Sequence, residues 1–334
     1  MRAVSTRAGA SAGRRSLAVS QRPRRPGPPG TAAVPPVRGS RPPRTRRLGG
    51  PGRLLWLLLL AAFAAFFLIP VVWLLLAPTK TDSALVHASP FAFGSAHNLG
   101  TAWHDLVTFE NGALLTWLRN SAVYAFGALV ITLVTSIPAG YGLALTEFRG
   151  RKLLLAVTLL VMIMPASALV LPLFLEVNAV HLVGSVWSVI LPMSFFPFGV
   201  YLAYIYFSSH IPRDLLAAAR LDGCSEWGVF WRVAVPLARP VVALVAFFSF
   251  VANWNNFFLP FVMLPSSGKY PIQVGLENLL SSTPSFNPAA GAGLDVTRPE
   301  LALAILIAIA PVLIVFLFSQ RALVSGMLAG ATKE

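Results

Sequence analysis

Four adjacent residues within an apolar stretch, Asn253-Trp254-Asn255-Asn256, carry side chains that could bind a polar ligand. Amide groups pair with hydroxyl groups, and an aromatic face covers the apolar side of a pyranose ring, so the combination suits a sugar. Successive helical residues point about 100° apart, so the three asparagines cannot share one direction. We expect one or two of them to face a pathway for such a ligand. Hydrogen bonding between membrane helices explains the same residues equally well.

A second polar stretch, Leu215–Pro236, lies between two long apolar segments. Pro212 favours a helix start, and Asp214 then falls in the first turn, where a negative charge suits the helix dipole. The pair Asp222-Gly223 is a turn signal, because glycine readily adopts the positive φ needed where a helix must stop. Ser225 can cap a second helix. The stretch therefore predicts two short helices separated by a turn.

The first of these helices carries unusually small side chains. A run of alanines precedes the turn and would let another surface approach the backbone closely: Ala217, Ala218 and Ala219. Arg213 lies at the start of the same helix, and Pro236 leads from the second helix into the next apolar segment. We interpret the stretch as a contact surface for another protein. An ordinary amphipathic connector fits the same residues.

Several kinds of chemistry are absent from the sequence. Cys224 is the single cysteine, which excludes an intrachain disulfide, and the five histidines form no ligand pair at helical spacing. The phosphate-binding pattern Gly-x-x-x-x-Gly-Lys-Ser/Thr does not occur. No Asp, Glu, Lys or Arg lies in the middle of an apolar run, whereas ion-coupled carriers usually need such groups at depth. We therefore expect no cofactor, no metal and no nucleotide site.

The net charge of +14 belongs almost wholly to one end of the chain. Residues 1–53 hold 13 Arg and no acidic residue, and the remaining chain is close to neutral. Residues 1–52 are rich in Arg, Pro and Gly and cannot bury a core, which predicts a disordered tail attracted to anionic membrane lipid. A start site placed too far upstream is the alternative. We expect no nucleic-acid partner.

The composition is that of an integral membrane protein, with 56% hydrophobic and 11% charged residues. A membrane helix needs about 20 apolar residues. Prolines fall inside several of the candidate runs and can kink their helices, Pro165 and Pro197 among them. Six charge-free runs are long enough to span: Leu54–Pro78, Asn120–Thr146, Leu153–Leu175, Val186–Phe207, Pro240–Leu264 and Leu301–Phe318.

The distribution of Lys and Arg predicts that both termini are cytoplasmic. With that orientation the internal connections carry most of the basic residues, and the 208–239 loop is cytoplasmic. Two long segments, Thr79–Arg119 and Pro265–Glu300, then lie outside. They could form part of a docking surface for an extracytoplasmic partner, although simple tethering accounts for most of their length.

The polar loop resembles the cytoplasmic EAA loop of ABC-importer permeases. That loop reads Glu-Ala-Ala, three residues, Gly, nine residues, Ile-x-Leu-Pro. The matching positions here are Ala217-Ala218-Ala219, Gly223, Val233, Val235 and Pro236. Ala217 stands where the family has its glutamate, so a contact made by that carboxylate is missing. Nearby charge could come from Asp214 or Glu226.

Further stretches extend the resemblance over residues 54–334 and narrow it to carbohydrate-uptake permeases of the maltose-transporter MalG type. Trp254-Asn255-Asn256-Phe257 is similar to the family's Trp-Asn-Asp-Phe, and the tail from Gly326 to Lys333 resembles its Gly-Leu-Thr-x-Gly-Ala-Val-Lys ending. Four other segments agree with the pattern: Trp117–Ser121, Met162–Pro165, Leu171–Leu173 and Ile211–Leu215.

The resemblance implies an all-α permease domain over residues 53–334 with six transmembrane helices, of the type I ABC importer fold, in a bacterial inner membrane. It implies a second permease subunit, a dimer of ATPase subunits, an extracytoplasmic sugar-binding protein and a sugar substrate. The helix at about Arg213–Asp222 would couple the ATPase to the membrane helices. A secondary sugar carrier, a membrane-embedded enzyme and a receptor or scaffold are the alternatives, and only the EAA-like loop argues against a scaffold.

Overall fold

The computed structural model describes residues 50–287 and 296–331, with side chains for 52–287 and 296–320. Contacts divide the chain into Met1–Leu57 and Leu58–Glu334. Of the first unit only the start of one helix is described, so the predicted 1–52 tail lies almost wholly outside the described residues. The second unit contains the remaining helices.

The described residues form helices and no strands, which confirms the prediction of an all-α polytopic chain. The α-helices are α1 (Gly50–Leu76), α2 (Asp82–His87), α3 (Ala96–Thr108), α4 (Ala113–Leu145), α5 (Arg151–Ile163), α6 (Ala166–Ala179), α7 (Trp187–Ser194), α8 (Pro197–His210), α9 (Arg213–Leu221), α10 (Glu226–Val229), α11 (Val235–Leu237), α12 (Arg239–Trp254), α13 (Phe258–Met263), α14 (Ile272–Ser282) and α15 (Arg298–Ala331).

Within the described ranges, four segments are long and apolar enough to cross a bilayer: Gly52–Thr79, Ala113–Leu145, Trp187–His210 and Arg298–Gln320. Two further candidates are bent helix pairs, α5 with α6 at 108° and Glu226–Leu237 with α12 at 77°. Counting each bent pair as one span gives up to six, the number predicted from the sequence. Three of the predicted spans nevertheless differ from continuous helices. The fourth, Val186–Phe207, is interrupted at Phe195 and Phe196, between α7 and α8.

The predicted third span, Leu153–Leu175, is not one helix. Helix α5 ends at Ile163, and α6 then continues in a direction that differs by 108°. Met164 is extended (φ −67°, ψ 135°) because the ring of Pro165 disfavours helical geometry in the residue before it. By contrast, α4 continues through Pro138. Which prolines break a helix therefore depends on tertiary context.

The predicted fifth span, Pro240–Leu264, is also interrupted. Helix α12 stops at Trp254, and α13 begins only at Phe258. Pro260 lacks the N–H that a continuous helix would direct to the carbonyl of Asn256, and its ring would collide with that carbonyl. The polar Asn-rich tetrapeptide therefore occupies the end of one helix and a break, and not the middle of a span.

Helix α4 forms part of all three buried apolar clusters. Its first turns contribute Leu114 and Trp117 to one cluster, its middle contributes Tyr124 and Ala128 to a second, and its end contributes Tyr141 and neighbouring residues to the third. At Gly140 the backbone of α8 approaches so closely that a Cβ would lie 2.4 Å from the Cβ of Ala203. Small residues let membrane helices pack in this way.

The first turns of α4 also hold a distant turn at Ser267–Lys269. The Trp117 indole N–H donates to the Ser267 carbonyl at 3.0 Å, and the Tyr124 hydroxyl donates to the Lys269 carbonyl at 2.8 Å. The buried Ser121 hydroxyl accepts the backbone N–H of Ile272 at 2.7 Å. A Cβ at Gly275 would fall 2.2 Å from the Trp117 ring. These contacts fix α14 against α4.

The C-terminal end of α1 is anchored differently from its shaft. Large apolar side chains along the shaft are exposed, whereas Thr79 and Lys80 are buried. The Lys80 ammonium donates to the carbonyls of Ser89 and Pro90 at 2.8 and 2.9 Å. A Cβ at Gly94 would lie 1.8 Å from the Thr79 carbonyl oxygen. Specific contacts are thus concentrated at this end of α1.

We expect Gly140→Ala to destabilise the protein by about 1–3 kcal/mol, because the added methyl group overpacks the contact between α4 and α8. Gly142→Ala is the matched control in the same helix, since its Cβ would meet only the Thr146 hydroxyl at 3.9 Å. Thermal unfolding of the detergent-solubilised protein measures both. Equal midpoints for the two variants would contradict the proposed importance of this contact.

Candidate functional site

Helix α9 is held by one buried side chain and leaves its other face open. Pro212 precedes it in extended geometry (φ −64°, ψ 126°), and Asp214 lies in its first turn, as predicted. Leu216 is 2% exposed and packs among residues of α4, α8 and the segment after α10. The exposed positions include most of the predicted contact residues: Arg213, Asp214, Ala217, Ala218, Asp222 and Gly223. Ala219 is partly buried.

The turn after α9 has the geometry that its sequence predicts. Gly223 adopts φ +85°, and its N–H donates to the carbonyl of Arg220 at 3.0 Å. The N–H of Cys224 donates to the carbonyl of Ala219 at 3.0 Å, which completes a Schellman motif. The Ser225 hydroxyl then caps α10 by accepting the N–H of Gly228 at 3.2 Å. The turn is therefore defined by local hydrogen bonds.

An ion pair bridges the two short helices across this turn. The Arg220 guanidinium donates to both carboxylate oxygens of Glu226, from Nε at 2.6 Å and from Nη2 at 3.1 Å. This hydrogen bonding lowers the pKa of the Glu226 carboxyl and raises the pKa of the Arg220 guanidinium, so both charged forms are favoured. Because the pair is exposed, it adds little to stability.

The segment after α10 was not foreseen from the sequence. Phe230–Ala234 forms a π-helical turn, a rare geometry that often marks functional sites. Trp227 and Trp231 flank Phe230, with ring centroids 5.7 and 5.1 Å from its ring, and both indoles are more than half exposed. Pro236 is exposed in α11, and the carbonyl of the next residue, Leu237, accepts the Tyr206 hydroxyl at 3.0 Å.

The hydroxyl of Tyr141 lies directly beneath this segment. Its ring meets Phe207 and Phe230 edge-on, with centroids 5.5 and 5.0 Å away. Among the described residues no hydrogen-bond partner reaches the buried hydroxyl. An unpaired buried hydroxyl is costly, and such groups in a folded protein need an explanation. The Tyr141 ring thus joins α4 to α8 and to the π-helical turn through aromatic packing.

The Asn-rich tetrapeptide separates into buried and exposed members. The Asn253 amide is buried and donates to the Ser249 hydroxyl at 3.3 Å, and the Trp254 indole donates to the carbonyl of Ala308 in α15 at 2.9 Å. Asn256 accepts the N–H of Leu259 at 3.4 Å and so starts α13. Asn255 is exposed and donates to the Val251 carbonyl, which leaves its amide oxygen open.

These features describe an exposed helical loop and a helix break. Within the part of the chain that the structure describes, no group of three His, Cys, Asp or Glu side chains could hold a metal ion. The polar residues of the loop face outward and are exposed, so they are suited to contact another macromolecule. This arrangement agrees with the interpretation of the loop as a contact surface, whose role remains a prediction.

Comparison with known proteins gives concordant matches. Residues 136–328 match the family described as binding-protein-dependent transport system inner membrane component. The chain is 32% identical to the arabinooligosaccharides transport system permease protein AraQ of Bacillus subtilis strain 168, over 80% of this chain and 91% of that protein. It is 28% identical to the diacetylchitobiose uptake system permease protein NgcG of Streptomyces coelicolor, over 81% and 86% of the two chains.

The fold has a counterpart among solved structures. A bacterial ABC transporter involved in the import of the acidic polysaccharide alginate superposes with a TM-score of 0.69, covering 80% of this chain and 95% of that chain at 23% identity. The matched residues 136–328 include α9, its Schellman turn and the break after α12. On these matches the chain belongs to the family of binding-protein-dependent transport system inner membrane components, and it is a transport permease.

Proposed function

We propose that this permease is a membrane-spanning subunit of an ATP-driven importer that carries a sugar or oligosaccharide across the bacterial plasma membrane. The names of its relatives support the substrate class, since they transport arabinooligosaccharides and diacetylchitobiose. The single observation that carries the proposal is the exposed α9 with its rigid turn, which presents a contact surface without any nucleotide-binding motif in the chain. ATP hydrolysis then occurs on a separate subunit.

Leu216 provides the route by which force on α9 would reach the membrane helices. Its side chain belongs to a buried apolar cluster that also contains Tyr141 of α4, Phe207 of α8 and Phe230 of the π-helical turn. A movement of an ATPase subunit bound to the outer face of α9 would then displace this cluster and the helices that pack in it. The proposed coupling residues are those that the sequence predicts: Arg213, Asp214, Ala217, Ala218, Ala219, Asp222, Gly223 and Pro236.

The assembly that we propose contains a second permease subunit, two ATPase subunits and an extracytoplasmic sugar-binding protein. Both termini are cytoplasmic, because the basic residues then concentrate on the inner side. The chain divides into a basic tail over residues 1–52, attracted to anionic membrane lipid, and a permease domain over 53–334. The loop of residues 208–239 is the coupling loop of that domain.

Asp214 is the best candidate to replace the glutamate that is missing at Ala217. The two positions are three residues apart and so lie on the same face of α9. The other candidate, Glu226, is already paired with Arg220. Among the described residues Asp214 has no ion-pair partner, and its side chain is exposed. Its carboxylate is therefore free to meet a cationic group of the ATPase subunit.

We expect Gly223→Asp to abolish transport while the subunit still inserts into the membrane. Gly150→Asp is the matched control, because Gly150 also has a left-handed φ (+91°), also has open space around its Cβ position, and lies in the connection between α4 and α5. Backbone strain is then similar in both variants, and only the first places a charge on the proposed contact surface. Sugar uptake by intact cells is the measurement.

Equal uptake by these two variants would contradict the coupling role of the turn. Cys224 gives an independent readout, since it is the only thiol in the chain. We expect it to form a crosslink with single cysteines on the ATPase subunit, and the yield to change with nucleotide.

The role of Asp214 gives a second prediction. Asp214→Asn should lower transport-coupled ATP hydrolysis by about tenfold, as expected for loss of one charge-assisted contact. Adding Ala217→Glu to the same chain should restore most of the activity, because it returns a carboxylate to the same helix face. If Asp214→Asn retains full activity, or if the second substitution gives no rescue, Asp214 does not replace the missing glutamate.

In the substrate pathway we propose that Asn255 provides the sugar contact, while the other predicted pathway residues, Asn253, Trp254 and Asn256, position it. Asn255→Ala should raise the KM for sugar by about fivefold, the cost of one hydrogen bond, with little change in maximal uptake. Asn253→Ala should instead reduce protein stability, since its amide is buried against Ser249. Uptake kinetics measure the effect of Asn255→Ala, and thermal unfolding measures the effect of Asn253→Ala. An unchanged KM in Asn255→Ala would argue against the assignment of Asn255 to the pathway.

A further inference from the structure

Two adjoining cavities share the exposed indoles Trp227 and Trp231. One is an apolar groove of about 250 Å³, whose lining includes Val134 and Pro138 of α4, Val235 of α11 and Val242 of α12. The other is a polar cavity of about 610 Å³, whose lining includes Arg232 and the turn from Asp222 to Ser225. The two indoles thus lie between an apolar and a polar compartment, an arrangement that fits an amphipathic ligand.

The lining of the groove defines the apolar part of that ligand. Apart from the two indole N–H groups, the side chains that line it are hydrocarbon. A sugar placed there would leave its hydroxyls without partners, which is costly. Val134 and Pro138 lie 11 and 7 residues before the end of α4, hence about 10–16 Å from that end. With the end of α4 at the cytoplasmic surface, as the proposed topology has it, this distance falls within the roughly 15 Å that the acyl chains of one leaflet occupy.

The polar cavity contains two opposite charges that do not pair with each other. Arg232 and Asp222 both line it, both are exposed, and their charged atoms are not within 4.0 Å of one another or of another ionic partner among the described residues. A ligand group that carries both a phosphate and an ammonium would complement this pair. The basic N-terminal tail, with 13 Arg and no acid in residues 1–53, lacks the negative charge that Arg232 would meet.

We infer that this is a binding site for a zwitterionic phospholipid with a primary ammonium, of the phosphatidylethanolamine class. The acyl chain occupies the groove, the phosphate meets Arg232 and the ammonium meets Asp222. The indoles lie at the boundary between headgroup and chain, where tryptophan is enriched. The inference rests on the proposed function only for its assignment to the cytoplasmic leaflet. It makes Asp222, one of the proposed coupling residues, a ligand of the lipid headgroup as well, so the lipid and the ATPase subunit would share this turn.

The test is lipid retention by the purified, assembled transporter, measured by native mass spectrometry after exchange into defined lipids. We expect phosphatidylethanolamine to be retained about fivefold more than phosphatidylcholine, whose quaternary ammonium cannot donate hydrogen bonds to Asp222. Arg232→Gln should reduce retention of both lipids by about fivefold, whereas Asp222→Asn should abolish only the preference between them. Arg149→Gln, an exposed arginine outside both cavities, should change neither.

A second pair of variants tests the acyl-chain groove. Val134→Phe fills the groove and should reduce retention of every phospholipid, whereas Val130→Phe, one turn away on the same helix and also exposed, should not. Equal retention in wild type, Arg232→Gln and Val134→Phe would overturn the inference. Preferred retention of anionic phosphatidylglycerol would overturn the zwitterionic assignment.

A crosslink from Val134→Cys to the second permease, with no lipid retained, would assign the groove to a subunit interface and overturn the inference as well. Retention is measured without transport, so its result is separate from that of the uptake experiments. A chain that failed to import sugar could still show the lipid preference. Sugar import without any lipid preference would overturn only the lipid site.

Discussion

The close approach of α4 and α8 at Gly140 is the contact on which the rest of the structure depends. Inside a bilayer, helices gain little from burying apolar surface, so close packing and interhelical hydrogen bonds must hold them together. Helix α4 contributes to each of the three buried clusters, and its N-terminal turns also hold the turn at Ser267–Lys269. A displacement of α4 at one end would therefore affect packing at the other. The cluster around Leu216 joins the candidate contact surface to this helix.

Much of the candidate site could be predicted from the sequence because its determinants are local. The Gly223 turn, the Ser225 cap and the start of α9 after Pro212 are each specified by residues within a few positions of one another. The exposure of Ala217 and Ala218 follows from the same short helix once Leu216 is placed inward. The interruptions of the membrane segments were harder to predict. Pro165 ends a helix and Pro138 does not, although both lie in comparable apolar sequence.

Contacts between distant residues could not be predicted from the sequence. Trp117 and Ser267 are 150 positions apart, and nothing in either neighbourhood indicates that they meet. The same limit applies to Trp254, which sequence alone assigned equally well to a pathway or to packing and which donates to Ala308. The π-helical turn at Phe230–Ala234 has no known local sequence signature. Only the structure therefore shows that Trp227 and Trp231 line both the apolar groove and the polar cavity. Arg220 and Glu226 are close in sequence, but their pairing depends on the geometry of the turn.

The anchoring of α1 has a consequence for how this segment can change over evolutionary time. Along the shaft large apolar side chains such as Phe63, Phe66 and Phe67 are exposed and contact one another, so a substitution there must above all remain apolar. At its C-terminal end, Thr79 and Lys80 are fixed by backbone carbonyls and by the absence of a side chain at Gly94. Selection should therefore act on the apolar character of residues 54–72, while it preserves the identity of the residues at the junction. Positions that tolerate substitution and positions that do not would then lie within a few residues of one another near the end of α1.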